Sequence, residues 1–152
     1  MIEGLGFRYY WATEGLVTQD LNYRPTIEAK STLETLVHLY TLCEIIHHVA
    51  QNKPNVRPPQ SVPEDFENLR KETLNFLQEA ANTFKGIVQV SLKKNQVVFE
   101  RQEQRNEFPL WNLLNGPLAD ALYHTGQVVS FRRTTGNPID KGVNVFLGKK
   151  NI

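Results

Sequence analysis

The clearest helical pattern in the chain runs from Ser31 to Ala50. Ser31 and Glu34 have the spacing of a capping box, in which the serine hydroxyl accepts a hydrogen bond from a free helix N–H and the glutamate bonds back to the cap. No glycine or proline interrupts the segment that follows, and aliphatic side chains supply its apolar bulk. The pattern therefore predicts one long helix that ends before Gln51-Asn-Lys-Pro54.

A second amphipathic pattern begins after a loop that contains four prolines. Ser61 and Glu64 have the spacing of another capping box, and Pro63 suits a first helical turn because its missing N–H would have no partner there. A stripe with intervals of three and four, the period of one helical face, then follows: Phe66, Leu69, Thr73, Leu77, Ala80 and Phe84. These features predict a helix that starts at the Ser61 cap and weakens at Gly86.

Two more segments carry weaker helical patterns. The first, from about Glu3 to Leu21, is interrupted by Gly15. The last, from about Pro109 to Arg133, contains Gly116-Pro117, which predicts a kink or a restart. Four helical segments joined by long connections are typical of an all-α fold, a four-helix bundle, and 152 residues suit one such domain over residues 1–152.

Short extended segments are predicted near residues 87–99 and 143–147. Ile87–Leu92 and Val97–Phe99 are β-branched runs separated by four polar residues, and their pattern fits either a hairpin or an extension of the preceding helix. The tail beyond Thr134 contains several turn-forming residues, and Val143–Leu147 within it favours an extended conformation.

Composition narrows the classes of function. The 17 Lys and Arg residues nearly balance the 16 Asp and Glu residues, so there is no basic excess of the kind that binds nucleic acid. A single cysteine, Cys43, excludes an intrachain disulfide framework, and no apolar run is long enough for a membrane span. Because the N-terminal residues also lack the pattern of a signal peptide, we expect a cytoplasmic protein with no nucleic-acid and no membrane partner.

The first candidate site residue is His38 on the long helix. A helical wheel places it on a face with Leu42, Ile45 and Val49, whereas His47 lies on the far side and is expected to point outward. His48 lies at the border between the two faces. A histidine on an aliphatic face needs partners for its ring nitrogens, so His38 either bonds to a neighbouring carbonyl or serves as a ligand.

The last helix carries the other candidates. Asp120 and His124 are four residues apart and therefore lie on one helical face. The wheel also places Leu113, Val128 and Phe131 on this face, which is expected to point toward the core. Two imidazoles and one carboxylate form a donor set for a divalent metal that leaves positions open for water or substrate. The alternatives are a buried Asp–His hydrogen bond without a metal, or an Asp120 that is only a solvated charge on the helix surface.

Other residues are expected to have structural roles. Ala119, Gly126 and Ser130 form a strip of small residues that suits close packing, either within the chain, which is favoured, or at a subunit interface. Arg132-Arg133 suit the carbonyl end of a helix dipole. Binding of a substrate anion is the alternative for the two arginines. Three further residues are expected in the core: Cys43 as a small side chain, and Trp11 and Trp111 as aromatic side chains.

Three stretches of the chain resemble the DinB-like (YfiT-like) superfamily of metal-dependent enzymes. Thr18-Gln-Asp-Leu-Asn-Tyr-Arg-Pro25 with Thr32-Leu-Glu-Thr-Leu-Val-His38 resembles the family's junction between its first two helices and its first histidine ligand. Tyr123-His-Thr-Gly-Gln127 resembles its His-Arg-Gly-Gln signature, and Phe131-Arg-Arg-Thr-Thr-Gly136 resembles the segment that follows. In the middle of the chain, only the helical pattern matches.

The resemblance implies a four-helix bundle, commonly a homodimer, that holds zinc or nickel inside through three side chains. His38 matches the first ligand and His124 the last, whereas Asp120 stands where the family usually has a histidine. Thr125 replaces the family's arginine. An aspartate at this position keeps the geometry of a site with altered metal preference, or it marks a subgroup that has lost the original chemistry.

The leading hypothesis is therefore a metal-dependent enzyme that acts on a small molecule. The resemblance implies transfer of low-molecular-weight thiols, or hydrolase-type or isomerase-type chemistry, and no residue selects among these reactions. Glu34 and Gln127 are candidates for orienting ligands or water. The rival hypothesis is a non-catalytic helical bundle, a binding or stress-associated protein with a degenerate metal site.

Overall fold

The chain folds into a mainly helical structure with a small mixed sheet. A computed structural model describes residues 1–59, 61–86 and 95–151. Its α-helices are α1 (Ile2–Thr13), α2 (Thr18–Asn22), α3 (Thr32–Ala50), α4 (Phe66–Gly86), the short α5 (Trp111–Leu113) and α6 (Ala119–Thr134). A π-helical turn, Leu114–Leu118, joins α5 to α6. None of the described helices is both long enough and apolar enough to cross a membrane.

The four longest helices surround one hydrophobic core. Helix α3 packs against α4 and α6, and α1 packs against the same two helices from the opposite side. Their inward side chains form one cluster of buried residues, which includes Tyr9 of α1, Leu39 of α3, Leu77 of α4 and Val128 of α6. Burial of this shared apolar surface holds the helices together.

The described residues also include five short strands. Strands β1 (Asn55–Val56), β2 (Gln96–Arg101) and β3 (Gln104–Pro109) form one sheet, in which β2 is parallel to β1 and antiparallel to β3. Strands β4 (Val143–Asn144) and β5 (Lys149–Lys150) form an antiparallel pair. Val97–Phe99 lies in β2, so that run is a strand and not an extension of the preceding helix, and the prediction for Ile87–Leu92 falls outside the described residues. Of the predicted extended segment Val143–Leu147, only Val143–Asn144 is a strand, and residues 145–147 form turns instead.

The capping box at Ser31 is confirmed, but the one at Ser61 is wrong. The Ser31 hydroxyl accepts a hydrogen bond from the Glu34 N–H at 3.1 Å, and the Glu34 carboxylate accepts one from the Ser31 N–H at 2.7 Å. Helix α4 begins only at Phe66, where Asp65 accepts a hydrogen bond from the Asn68 N–H at 2.9 Å. The carboxylate of Asp65 is an equally good cap placed four residues closer to the apolar stripe.

At two positions that contain glycine, the first and the last helical segments differ from a continuous helix. The first predicted segment splits into α1 and α2 at Gly15, whose φ of 69° lies in the left-handed region that ends a helix. At Gly116-Pro117 the last segment widens into the π-helical turn, which separates α5 from α6. Because Pro117 has no N–H and its ring would clash with the preceding turn, the wider turn accommodates it without ending the helix.

Two predictions about buried residues in the last helical segment are wrong. Trp111 is 58% exposed rather than part of the core. The small residues Ala119, Gly126 and Ser130 are also exposed, and no other part of the described chain lies within 4 Å of where a Gly126 side chain would point. Helix α6 therefore packs within the chain through its opposite face, and the predicted close-packing role of this strip is wrong.

Candidate metal centre

The structure brings His38, Asp120 and His124 together. His38 lies two turns into α3, and Asp120 and His124 lie on successive turns of α6, the helix that packs against α3. The His38 Nε2 atom is 3.2 Å from Oδ2 of Asp120, and the His124 Nε2 atom is 3.3 Å from Oδ1 of the same carboxylate. One donor atom from each residue lies within 4.8 Å of the other two.

The contacts allow either hydrogen bonds or a shared ion. The His38–Asp120 contact at 3.2 Å is a long hydrogen bond, and the His124–Asp120 contact at 3.3 Å lies just beyond the usual range. The two histidines contact different oxygens of the carboxylate, and each of the three residues offers a donor atom within 4.8 Å of the other two. Nitrogen and carboxylate oxygen are suitable donors for zinc and nickel. The three residues therefore fit a divalent ion.

The three side chains are partly open to solvent, not fully buried as the wheel predicts. The exposed fractions are 31% for His38, 44% for Asp120 and 18% for His124. The site therefore lies at the edge of the core, where an ion could enter and keep open positions for a further ligand.

The electrostatics favour a neutral His38. Partial burial lowers the pKa of His38 below its ordinary value. The hydrogen bond that the ring donates to the Asp120 carboxylate opposes this effect, and the nearby His124 and Lys30 add to the lowering. Only an unprotonated imidazole nitrogen can bind a metal, so this direction suits a ligand role near neutral pH.

Gln127 orients His124, whereas Glu34 has no role at the site. The Gln127 side-chain oxygen accepts a hydrogen bond from Nδ1 of His124 at 2.6 Å, which leaves the lone pair on Nε2 directed toward Asp120. The Glu34 carboxylate is committed to the Ser31 cap and to Arg24, 2.8 Å away. Thr125 is buried, and its hydroxyl donates to the Ala121 carbonyl oxygen, so it also lies outside the cluster.

The other two histidines lie apart from the three-residue cluster. His47 does not point outward as predicted, because α4 covers that side of α3. Its ring is buried, stacks on Phe76 and contacts the Glu79 carboxylate at 2.7 Å. His48 is half-buried and lies 3.2 Å from the side-chain oxygen of Asn55. A helical wheel gives the relative directions of side chains, but it does not show how many neighbours cover a helix.

The arginine pair also separates into two roles. Arg132 is 3% exposed, and its guanidinium donates hydrogen bonds to three carbonyl oxygens at the end of α1, those of Trp11, Ala12 and Glu14. It is therefore a structural residue that is unavailable to a substrate anion, whereas Arg133 is exposed. The pattern of two adjacent arginines contains no signal that distinguishes them.

Cys43 is confirmed as a small core residue. Its side chain is fully buried, and burial raises the pKa of the thiol well above its ordinary value. A thiol in this state is a poor nucleophile. Cys43 is therefore not a candidate nucleophile.

Comparison of the chain with protein-family models, with curated proteins and with solved structures found no match.

Proposed function

We propose that this protein is a metal-dependent enzyme of the DinB-like type, in which His38, Asp120 and His124 hold a divalent ion, zinc or nickel. The observation that carries the proposal is the convergence of three suitable donor atoms from two helices that are far apart in the sequence. The packing of α1, α3, α4 and α6 around one core supports the finer assignment of a four-helix bundle.

The chain's own residues define what the site would do. A divalent ion supplies a Lewis acid that lowers the pKa of a water or a thiol and polarises a substrate. Asp120 contributes one negative charge and the two histidines none when neutral, so the loaded site keeps a positive charge that favours an anionic nucleophile. Gln127 holds the His124 ring in place.

The reaction class is either transfer of a thiol to a small electrophile or hydrolysis. Both reactions use a nucleophile activated at a metal, and no other described residue at the site selects between them. The substrate is proposed to be a small molecule. A homodimeric state and a cytoplasmic location stay predictions from the sequence and its resemblance.

Activity assays test the proposal. Purified protein is loaded with zinc or nickel and incubated with low-molecular-weight thiols and a chlorodinitrobenzene-type electrophile, and in parallel with activated esters. We expect metal-dependent turnover in one assay, which Asp120→Ala and His124→Ala abolish. His48→Ala is the matched control because it changes a half-buried histidine of α3 outside the cluster.

The outcomes separate the enzyme from its rival. Turnover that needs the metal, Asp120 and His124 supports the enzyme. A stoichiometric metal without turnover in either assay would favour a binding protein. Turnover that survives a chelator and both cluster variants would contradict the proposed mechanism.

A further inference from the structure

An open groove of about 600 Å³ lies beside the candidate metal centre. Small-molecule sites are commonly about 300–1,000 Å³. The groove runs between α3, β2 and the π-helical turn, and Asp120 is one of its lining residues. One residue is therefore shared between the three-donor cluster and a space of the size of a small ligand.

The surface of the groove is almost entirely uncharged. Leu42 and Ile45 of α3 are largely buried, Phe99 of β2 and Pro117 of the π-helical turn add apolar surface, and Asn115 offers an amide. Asp120 is the only charged residue among the described residues that line it. A carboxylate or ammonium group would therefore lose its hydration here without gaining an opposite charge, apart from Asp120 itself.

Tyr123 connects the groove to the histidines. Its side chain lines the groove, and its ring meets the His124 ring edge-on, with centroids 5.2 Å apart. The groove therefore offers an aromatic ring and the aliphatic side chains of α3 beside the metal site. Flat or aliphatic groups gain most from such surfaces.

We propose that this groove binds an uncharged, apolar arm of the substrate while a polar atom of the same molecule reaches the metal site. The inference rests on the proposed function and deepens it, because it assigns the class of substrate. The observation behind the proposal is that Asp120 belongs to the three-residue cluster and also lines the groove.

Binding of a graded set of hydroxamates to the zinc-loaded protein tests the inference. Acetohydroxamate, benzohydroxamate and 4-carboxybenzohydroxamate share one metal-binding head and differ only in the arm. Affinities are measured by calorimetry, and metal content is measured on the same samples. We expect benzohydroxamate to bind about tenfold more tightly than acetohydroxamate, because its ring leaves water for an apolar surface. The carboxylated arm should lose most of this gain.

Two variants locate the effect in the groove. Ala119→Trp places a large ring at an exposed residue that lines the groove, and Ser130→Trp does the same at an exposed residue of α6 that does not line it. We expect the first variant to remove the benzohydroxamate gain and the second to retain it. Tyr123→Ser, at a residue that is 63% exposed, should also reduce the gain if Ala119→Trp does not fold.

The outcomes distinguish the inference from the function on which it rests. If the protein binds no metal, both are overturned. If metal and acetohydroxamate bind but the three hydroxamates have equal affinities, only the apolar arm is overturned. A gain that survives Ala119→Trp and Tyr123→Ser would also overturn it, because the ring would then bind elsewhere.

Discussion

Gln127 is the residue that fixes how His124 presents its ring to Asp120. Its side-chain oxygen lies 2.6 Å from Nδ1 of His124. Partners of this kind keep a metal ligand in one tautomer and one orientation, and their loss commonly lowers metal affinity by about 10- to 100-fold.

The Gln127→Ala variant should therefore bind zinc about 10- to 100-fold more weakly than the wild type, while its unfolding free energy without metal changes little. Competition with a chromophoric chelator measures the affinity, and urea unfolding measures the stability. Ser130→Ala, an exposed change on the same helix, is the control. Unchanged zinc affinity would mean that Gln127 does not support a ligand.

Asp20 is the second residue whose surroundings lead to a specific prediction, in this case about the pH dependence of stability. Burial tends to raise its pKa, but hydrogen bonds from Thr135, Val17 N–H and Asn137, with the charge of Arg132, lower the pKa below its ordinary value. Its ionised form is therefore stabilised by folding. The stabilisation is complete above the unfolded pKa of about 3.9 and is lost as the pH falls through the lowered folded pKa.

The Asp20→Asn variant should be less stable than the wild type at neutral pH by about 2–4 kcal/mol, because an amide N–H₂ would face at least one hydrogen-bond donor. The difference should shrink as the pH falls from about 4 toward the lowered folded pKa, since the unfolded carboxyl takes up its proton first and the folded wild-type carboxylate is protonated only below that pKa. Urea unfolding at several pH values measures it. A difference that stays constant down to acidic pH would contradict the lowered pKa.

At the scale of elements, the end of α1 depends on Arg132 of α6. Without its guanidinium, the carbonyl oxygens of Trp11, Ala12 and Glu14 would each lose a hydrogen bond from the Arg132 side chain. This contact joins the first and the last long helix, so it stabilises the arrangement of the helices as well as one helix end.

We expect Arg132→Ala to lower the free energy of unfolding by about 3 kcal/mol, because buried carbonyl groups are left without partners. Arg132→Lys should recover only part of this loss, since an ammonium group cannot reproduce the planar fork of donors. Arg133→Ala is the matched control, because its side chain is exposed and should change stability by less than about 0.5 kcal/mol. Equal effects at both arginines would contradict the assigned role.

The caps of α4 give a second comparison between neighbouring residues. Asp65→Ala should destabilise the protein by about 1 kcal/mol because it removes the acceptor for the Asn68 N–H. Ser61→Ala should have almost no effect, since Ser61 is exposed and lies before the helix. Thermal or urea unfolding distinguishes the two, and the reverse order of effects would restore the cap predicted from the sequence.

The helices show which parts of this fold local sequence determines. The uninterrupted segment after Ser31 and the stripe of α4 were predictable because capping and apolar periodicity act within one element. The π-helical turn and the start of α4 were not, because each depends on a choice between two local solutions of similar quality. The burial of His47 was also missed, since it depends on where α4 packs.

At the scale of the whole molecule, the candidate site exists because α3 and α6 pack side by side. The sequence indicated which three residues share suitable chemistry and suitable helical faces, and it placed His38 among aliphatic neighbours. It could not give the distances between Asp120 and the two histidines, because these depend on the relative positions of two helices about 80 residues apart in the chain. The groove beside Asp120 was missed for the same reason, since α3, β2, the π-helical turn and α6 together form it.

Metal content is the measurement that tests the account most directly. The wild-type protein, Asp120→Ala, His124→Ala and the control His48→Ala are dialysed against zinc or nickel and analysed by mass spectrometry. The account predicts close to one ion per chain in the wild type and the control, with loss of the ion in both cluster variants. Equal metal content in all four proteins, or no metal in the wild type, would contradict it.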